Sequence, residues 1–351
     1  MAFLSFSNVK FAGVAAAVPK IVKEIKDLSF FSPGEADKVI ALTHIERSRM
    51  VPKGMCCSDL CYEAAEQLIE RLQWNKQDIG ALIYVSLSRD YLTPHTSALL
   101  QDKLGLSKEC YAIDVPLACS GYVYGLSVIA GLMQNGGIKK GLLLVGETTS
   151  QLQSPLDKTI WPLHGDGGTA TALEFNEGAS PMLFHFATDG SRGDAIINLD
   201  GMRHPITEES MRMIEVEPGI IRNRTQSVLD GMNVFGFSIK EPPASIKSLT
   251  EHYDFSLDDI DYLILHQANK YMDDKIGKKL KVPADKIPFS LMQYGNTSSA
   301  SIPITMVVGI GEKLSLEDAD VVICGFGSGL SWGSAYIKLD HIICLPLIEL
   351  D

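Results

Sequence analysis

Three residues carry most of the chemistry in this sequence: a cysteine, a histidine and an asparagine. Each ends a strand-like run or sits in a turn. Cys119 stands in "YAIDVPLACSGYVYGLSVIAGLMQNGG". An apolar run ends at the cysteine. Val123, Leu126, Ile129, Ala130 and Met133 then recur at helical spacing until Gly136 and Gly137 supply a stop. The thiol is therefore expected at a strand-to-helix turn, where free N–H groups and the helix dipole favour a thiolate. His266 ends a buried strand in "YLILHQANK", and the carboxyl end of a parallel strand is where α/β sheets hold ligands. Asn296 occupies a turn in "QYGNTSSASIP", and "GFGSGLSWG" is a glycine-rich loop after a strand. That loop lacks the lysine and the spacing of a phosphate-binding loop. Taken singly, each residue also has a plain structural reading: a buried thiol, a core histidine bonded to a carbonyl, a turn asparagine. Together, a thiol nucleophile, imidazole and amide donors, and a glycine-rich backbone for an oxyanion make a set for acyl transfer through a thioester.

Such a set needs strands and turns to hold it. "ALIYVSLS", "GLLLVG", "YLILHQ" and "DVVICGFG" read as buried strands. Ser58 to Leu72 reads as a helix capped by Ser58, with Leu60, Ala64, Leu68 and Leu72 on one face. The alternation predicts an α/β fold with largely parallel central strands. "DIGALIYVS" from Asp78 has a counterpart in "DIDYLILHQ" from Asp259, and "GLLLVGE" has one in "DVVICGFG", each about 180 residues on. Two pseudo-repeated halves are expected, residues 1–175 carrying Cys119 and residues 176–351 carrying His266 and Asn296. Residues 177–217 show little periodicity and are expected to be an irregular excursion.

Composition narrows the classes. The chain has 351 residues, 46% hydrophobic and 21% charged, which is globular rather than disordered. Its net charge of −12 argues against a general nucleic-acid binder. No apolar run approaches the ~20 residues of a bilayer helix, and the first twenty residues lack the basic start of a signal peptide. Seven cysteines without a CxxC pair suit a reducing cytoplasm. Cys56, Cys57 and Cys61 have no nearby histidine at ligand spacing, so no metal site is expected.

The segments "DVPLACSGYVYGL", "HQAN" and "GNTSSASIP", in that order, resemble those of the β-ketoacyl-acyl carrier protein synthase III family, within the thiolase fold. The resemblance runs from "NVKFAGVAAAVP" to "SWGSAYIKL". It implies two similar halves in a five-layer α-β-α-β-α arrangement, usually a homodimer in the cytoplasm. It further implies a decarboxylating Claisen condensation in fatty acid initiation or a specialised lipid or polyketide pathway. Cys119 would carry the acyl group. His266 and Asn296 would hold the thioester oxygen of malonyl-acyl carrier protein, and the backbone N–H groups of Cys119 and Ser328 would form the oxyanion hole. The family usually has glycine where Ser328 stands. The substrates implied are acyl-CoA or acyl-acyl carrier protein with malonyl-acyl carrier protein; no bound cofactor or metal is implied. "GFGSGL" is also similar to the loop of chalcone-synthase-like type III polyketide synthases. Two other readings remain: an acyltransferase of the same fold that does not decarboxylate, and a non-catalytic subunit of a heterodimeric synthase.

Against the family pattern, Lys38 and Leu42 stand where a tryptophan and an arginine clamp the adenine of CoA, and Lys158 replaces a second arginine. In the loop "DYLTPHTS", Thr93 stands where a phenylalanine enters the partner's acyl pocket. The smaller residue leaves room for a longer or hydroxylated chain. Lys270, Lys278 and Lys279, with Lys275 and Lys281, form a basic cluster in an acidic chain. The family's carrier docks near a matching lysine pair; the alternative is a solvated helix face.

Overall fold

Strands rich in Val, Ile and Leu on both faces must be covered on both sides. A computed structural model describes residues 2–351 and shows how this is done. One sheet has seven strands. Its main order is Ile343–Cys344, Val9–Pro19, Gly167–Phe175, Lys140–Glu147, Ile79–Val85 and Tyr111–Val115, with Ile348–Leu350 also along Val9–Pro19. The other has five strands, in the order Ala2–Phe6, Met182–Thr188, Ser331–Leu339, Ala319–Gly327 and Tyr262–Leu265. From Val9–Pro19 in one sheet and Met182–Thr188 in the other, the two orders repeat: first strand, last strand, the one before it, then the second. The matched sequence pairs fall on equivalent strands, Ile79–Val85 with Tyr262–Leu265 and Lys140–Glu147 with Ala319–Gly327.

Helices Gly121–Met133 and Ser301–Leu314 lie between the sheets and touch both. A single apolar core surrounds them, including Val85, Leu126, Leu143, Ile304, Ile323 and Ile337. Cys57–Leu72 and Thr96–Lys103 cover the outer face of the larger sheet. Glu241–Tyr253, with Lys270–Leu280 beside it, covers that of the smaller. The result is the expected five layers.

The chain ends cross over. Ala2–Phe6 pairs with Met182–Thr188 in the smaller sheet, and Ile343–Cys344 and Ile348–Leu350 pair with Val9–Pro19 in the larger. A division into halves at 175/176 is therefore a proposal about the repeat, since each sheet takes edge strands from beyond it. Two local expectations need correction. The outer helix begins at Cys57, with Cys56 as its N-cap and the Asp59 carboxylate accepting from the Cys56 N–H at 2.9 Å. Ser58 instead donates its hydroxyl to Asp90 at 2.8 Å. The stretch 177–217 is not wholly irregular, because it contains the central strand Met182–Thr188. His185 interrupts that apolar run, and its ring is bonded to Ser245 Oγ at 2.8 Å inside the fold. Two further strands of the stretch pair with segments beyond it in small ribbons, Ile196–Asn198 with Ser227–Leu229 and Ile214–Glu217 with Ile220–Arg222.

Asp273, on Lys270–Leu280, is buried, and neither carboxylate oxygen has a partner among the described residues. Burial pushes its pKa well above the usual carboxylate range, although Lys270 opposes this. The folded chain thus holds a proton that the unfolded chain releases near pH 4, so its contribution to stability is lost as pH rises. Asp273→Asn keeps the shape and removes the charge. Thermal unfolding should show the variant melting higher than the wild type at pH 7.5. The gap should close towards pH 4.

Candidate active site

The loop after Tyr111–Val115 turns at residues 118–120 into Gly121–Met133, with Ser120 as N-cap, which places Cys119 beside the helix start. Ser120 Oγ bonds Ser331 Oγ across the halves at 2.7 Å. The strand Ala319–Gly327 runs hard against this turn. A Cβ on Gly327 would stand 2.6 Å from Cβ of Cys119 and 3.0 Å from its Sγ, so only glycine fits. Cys119 Sγ is 3.5 Å from Ser298 Oγ. Burial pushes the thiol up to about 11; the Ser298 hydrogen bond works against that, and the nearby Glu147 charge adds to it. Desolvation thus favours the thiol, in opposition to the help that a helix start gives a thiolate.

His266 follows directly on the strand Tyr262–Leu265. Its Nδ1 lies 2.8 Å from Ser301 Oγ, which also accepts the Gln267 N–H at 3.3 Å. The Ser301 hydroxyl can give its own proton to Nδ1, an arrangement that puts the ring N–H at Nε2. Burial, reinforced by His164, draws the His266 pKa down to about 3, so the ring is neutral. Asn296 Oδ1 accepts from the Ser298 N–H at 2.8 Å, which leaves the side-chain NH₂ free to donate. Asn296 is strapped to the turn at 163–165. Its N–H donates to Leu163 O at 2.9 Å and its carbonyl accepts from Gly165 N at 3.1 Å. Buried Lys23 braces that turn, donating to Trp161 O at 2.6 Å and His164 O at 2.9 Å.

Cys119, His266 and Asn296 line one cavity of about 330 Å³. Ser328 lines it too, and its carbonyl accepts from Ser331 Oγ at 2.9 Å. The arrangement offers a thiol, two neutral N–H donors and a glycine-flanked backbone around a mostly apolar space. It suits addition to a thioester carbonyl with the oxygen held by oriented donors.

The chain is similar to known proteins over most of its length. Residues 113–190 match the family described as 3-oxoacyl-[acyl-carrier-protein (ACP)] synthase III, and residues 250–339 match its C-terminal part. A β-ketoacyl-[acyl-carrier-protein] synthase III of Streptococcus agalactiae is 33% identical over 332 residues, covering 94% of this chain and 99% of the relative. The chain belongs to the β-ketoacyl-acyl carrier protein synthase III family. A relative of that name from Clostridium perfringens is 32% identical, covering 95% of this chain and 99% of its own. The crystal structure of a 3-oxoacyl-(acyl-carrier protein) synthase from Burkholderia xenovorans superposes with a TM-score of 0.93 at 31% identity, covering 99% of both chains. The fold of this synthase III family member is accordingly thiolase-like.

Other residues singled out in the sequence lie away from the cavity. Thr93 is on an exposed loop with Tyr91 and Leu92. Leu42 is 62% exposed, and Lys158 is 3.5 Å from the Glu35 carboxylate, which occupies its charge. Lys270 is paired with Asp274 and lies over the Phe289 ring at 5.5 Å. Lys278 and Lys279 are exposed at the far end of the same helix, about 12 Å along it by helical rise. Sequence reasoning missed Ser298, Glu147, Gln153 and His164, all of which line the cavity. Ser298 was adjacent to a motif already in hand, whereas the others carried no spacing signal.

Gly327→Ala should displace the Cys119 side chain. Acyl-enzyme formation, followed as mass gain of the intact protein, should slow about hundredfold or more. Circular dichroism should still report a folded chain.

Proposed function

We propose that the protein condenses an acyl group held on Cys119 with the two-carbon unit of malonyl-acyl carrier protein, giving 3-oxoacyl-acyl carrier protein and CO₂. The observation that carries this is the convergence of Cys119, His266 and Asn296 on one cavity, with the NH₂ of Asn296 free to donate. First, the Cys119 sulfur attacks the carbonyl of an acyl thioester; the C–S bond to the carrier breaks and the carrier leaves as a thiol with the cysteine proton. Malonyl thioester then enters. His266 Nε2–H and Asn296 Nδ2–H donate to its carbonyl oxygen as the C–CO₂ bond breaks and the electron pair delocalises as an enolate. That carbon attacks the acyl-Cys carbonyl. The N–H groups of Cys119 and Ser328 are the proposed donors to the resulting oxyanion. Collapse breaks the C–S bond, and the leaving sulfur takes up a proton from solvent, which closes the cycle. Removing one donor of this kind commonly costs about 10²–10³ in rate.

The reading favours decarboxylation over simple acyl transfer, because transfer has less need of the Asn296 donor. It also favours catalysis over a passive subunit, since the cysteine, histidine and asparagine are all present. The product belongs to fatty acid initiation or a specialised lipid or polyketide route. Acyl carrier protein is the proposed partner and also a candidate acyl donor beside CoA, given Leu42 and the paired Lys158 at the place of the clamp. No bound cofactor is invoked. A homodimer is proposed. The outer edge of Tyr111–Val115 has no strand beside it among the described residues, and Tyr91 and Leu92 on the nearby loop are exposed. In that assembly Thr93 would reach the partner's acyl pocket. Among the described residues no helix is long and apolar enough to cross a membrane. The cytoplasm is the inferred setting, in keeping with seven unpaired thiols.

Intact-mass measurement after incubation with acyl-CoA and acyl-carrier thioesters should show an acyl adduct on the wild type and none on Cys119→Ala. Adding malonyl-acyl carrier protein should discharge that adduct as 3-oxoacyl product. Asn296→Ala should still acylate but lose condensation by about 10²–10³. An adduct on Cys119→Ala would refute the assignment. Carrier docking is tested separately: charge reversal at Lys278 and Lys279 together should raise KM for malonyl-acyl carrier protein about tenfold. It should leave the rate with a malonyl-pantetheine thioester unchanged.

A further inference from the structure

The cavity contains more polar chemistry than the condensation uses. Gln153 lines it and is only 6% exposed. Its Oε1 has no hydrogen-bond partner among the described residues. Its backbone carbonyl accepts from Gln226 Nε2 at 3.4 Å. A carboxamide buried in this way is costly unless something donates to it or accepts from it. The last side-chain torsion of glutamine is broad and roughly two-fold, so either end of the amide can turn to the cavity.

His164 lines the same cavity. Its Nδ1 lies 3.2 Å from the carbonyl oxygen of Ile160. A carbonyl only accepts, so Nδ1 carries the proton and Nε2 keeps a lone pair. Burial draws the ring's pKa down to about 4 and keeps it neutral. The buried Lys23 ammonium, bonded to the His164 carbonyl at 2.9 Å, holds the turn in place. Neither side chain donates or accepts a hydrogen bond in the condensation steps. Leu152, Ile160 and Leu229 complete the wall with apolar surface. The lining therefore combines aliphatic surface with polar side chains, Gln153 and His164 among them.

We propose that Gln153 and His164 form a subsite for a hydroxyl group carried on the acyl chain, so that the preferred acyl donor is a hydroxyacyl thioester rather than a plain one. A hydroxyl both donates and accepts. It can give its proton to His164 Nε2 while accepting from the Gln153 NH₂, or bond the other end of the amide. A pocket built to bond a hydroxyl rejects the analogue that lacks it, because its own polar groups are then left unpaired. The inference rests on the reading that Cys119 is acylated.

The test compares acylation of Cys119 by octanoyl-pantetheine with that by hydroxyoctanoyl-pantetheines, the hydroxyl moved along the chain from the β carbon to the terminus. The expected result is a kcat/KM for one hydroxyl position about tenfold or more above octanoyl, and a ratio near one in Gln153→Leu and in His164→Phe. Pantetheine itself carries amides and a hydroxyl, so every thioester is also tested on the short N-acetylcysteamine arm. A preference that persists on the short arm belongs to the acyl chain. Losses in Gln153→Leu that appear with every acyl group on pantetheine and vanish on the short arm would assign the subsite to the arm and overturn the inference. A wild type that acylates with octanoyl but shows no hydroxyl preference would overturn it too, whatever the variants do. Failure of every thioester to label Cys119 would instead strike the functional reading beneath it.

Discussion

The nucleophile and the groups that act on it belong to different halves of the chain, and they meet where a backbone stands in for side chains. Cys119 lies on a loop of the larger sheet. Gly327 ends a strand of the smaller one, and the gap between them leaves no room for a single carbon atom. That contact fixes how closely the two sheets and their shared middle layer dock. His266, Asn296 and Ser328 line the same cavity as the cysteine. The repeat makes the meeting point special: both central helices begin there. Cys119 precedes one start, and Asn296 and Ser298 precede the other. Ser301, the first residue of the second helix, bonds the His266 ring.

Burial sets the electrostatics of the site. The thiol is pushed up to about 11, the imidazole is drawn down to about 3, and the Glu147 carboxyl is pushed up to about 7. In each case removal from water is the leading cause, and it favours the neutral form. The resting site thus relies on oriented dipoles rather than a cysteine–histidine ion pair. Donors fixed in advance act strongly where water is excluded and need no reorganisation as charge develops. Glu147 also has a structural task. Its carboxylate accepts from Leu87 N at 2.9 Å, from Ser88 N at 3.1 Å and from Ser88 Oγ at 2.6 Å, holding the turn that presents Leu87 to the cavity.

Much of the architecture could be read from local pattern. Apolar runs marked the central strands, and two matched pairs at one offset marked the duplication. These signals report what a segment does with its own neighbours, and they failed where that pattern was broken. His185 hid the strand Met182–Thr188 because a polar residue in a buried strand spoils the apolar run until its partner, Ser245, is seen. Ser58 looked like a cap because serine usually makes a good one, but the helix starts one residue earlier. The crossing of the chain ends between sheets left no local mark at all.

The sequence by itself determined the order and chemical identity of the cysteine, histidine and asparagine, the strand ends and turns that hold them, and the family to which they point. Tertiary structure alone decided their state and their company. Ser298 stands beside Cys119 across 179 residues of chain, and His266 meets Ser301 across 35. Among the described residues the side-chain oxygen of Gln153 has no partner, and burial pushes the Cys119 thiol up. The physical reason is that periodicity is a property of the local backbone, whereas protonation and hydrogen-bond satisfaction depend on what is packed around a group and how much water remains.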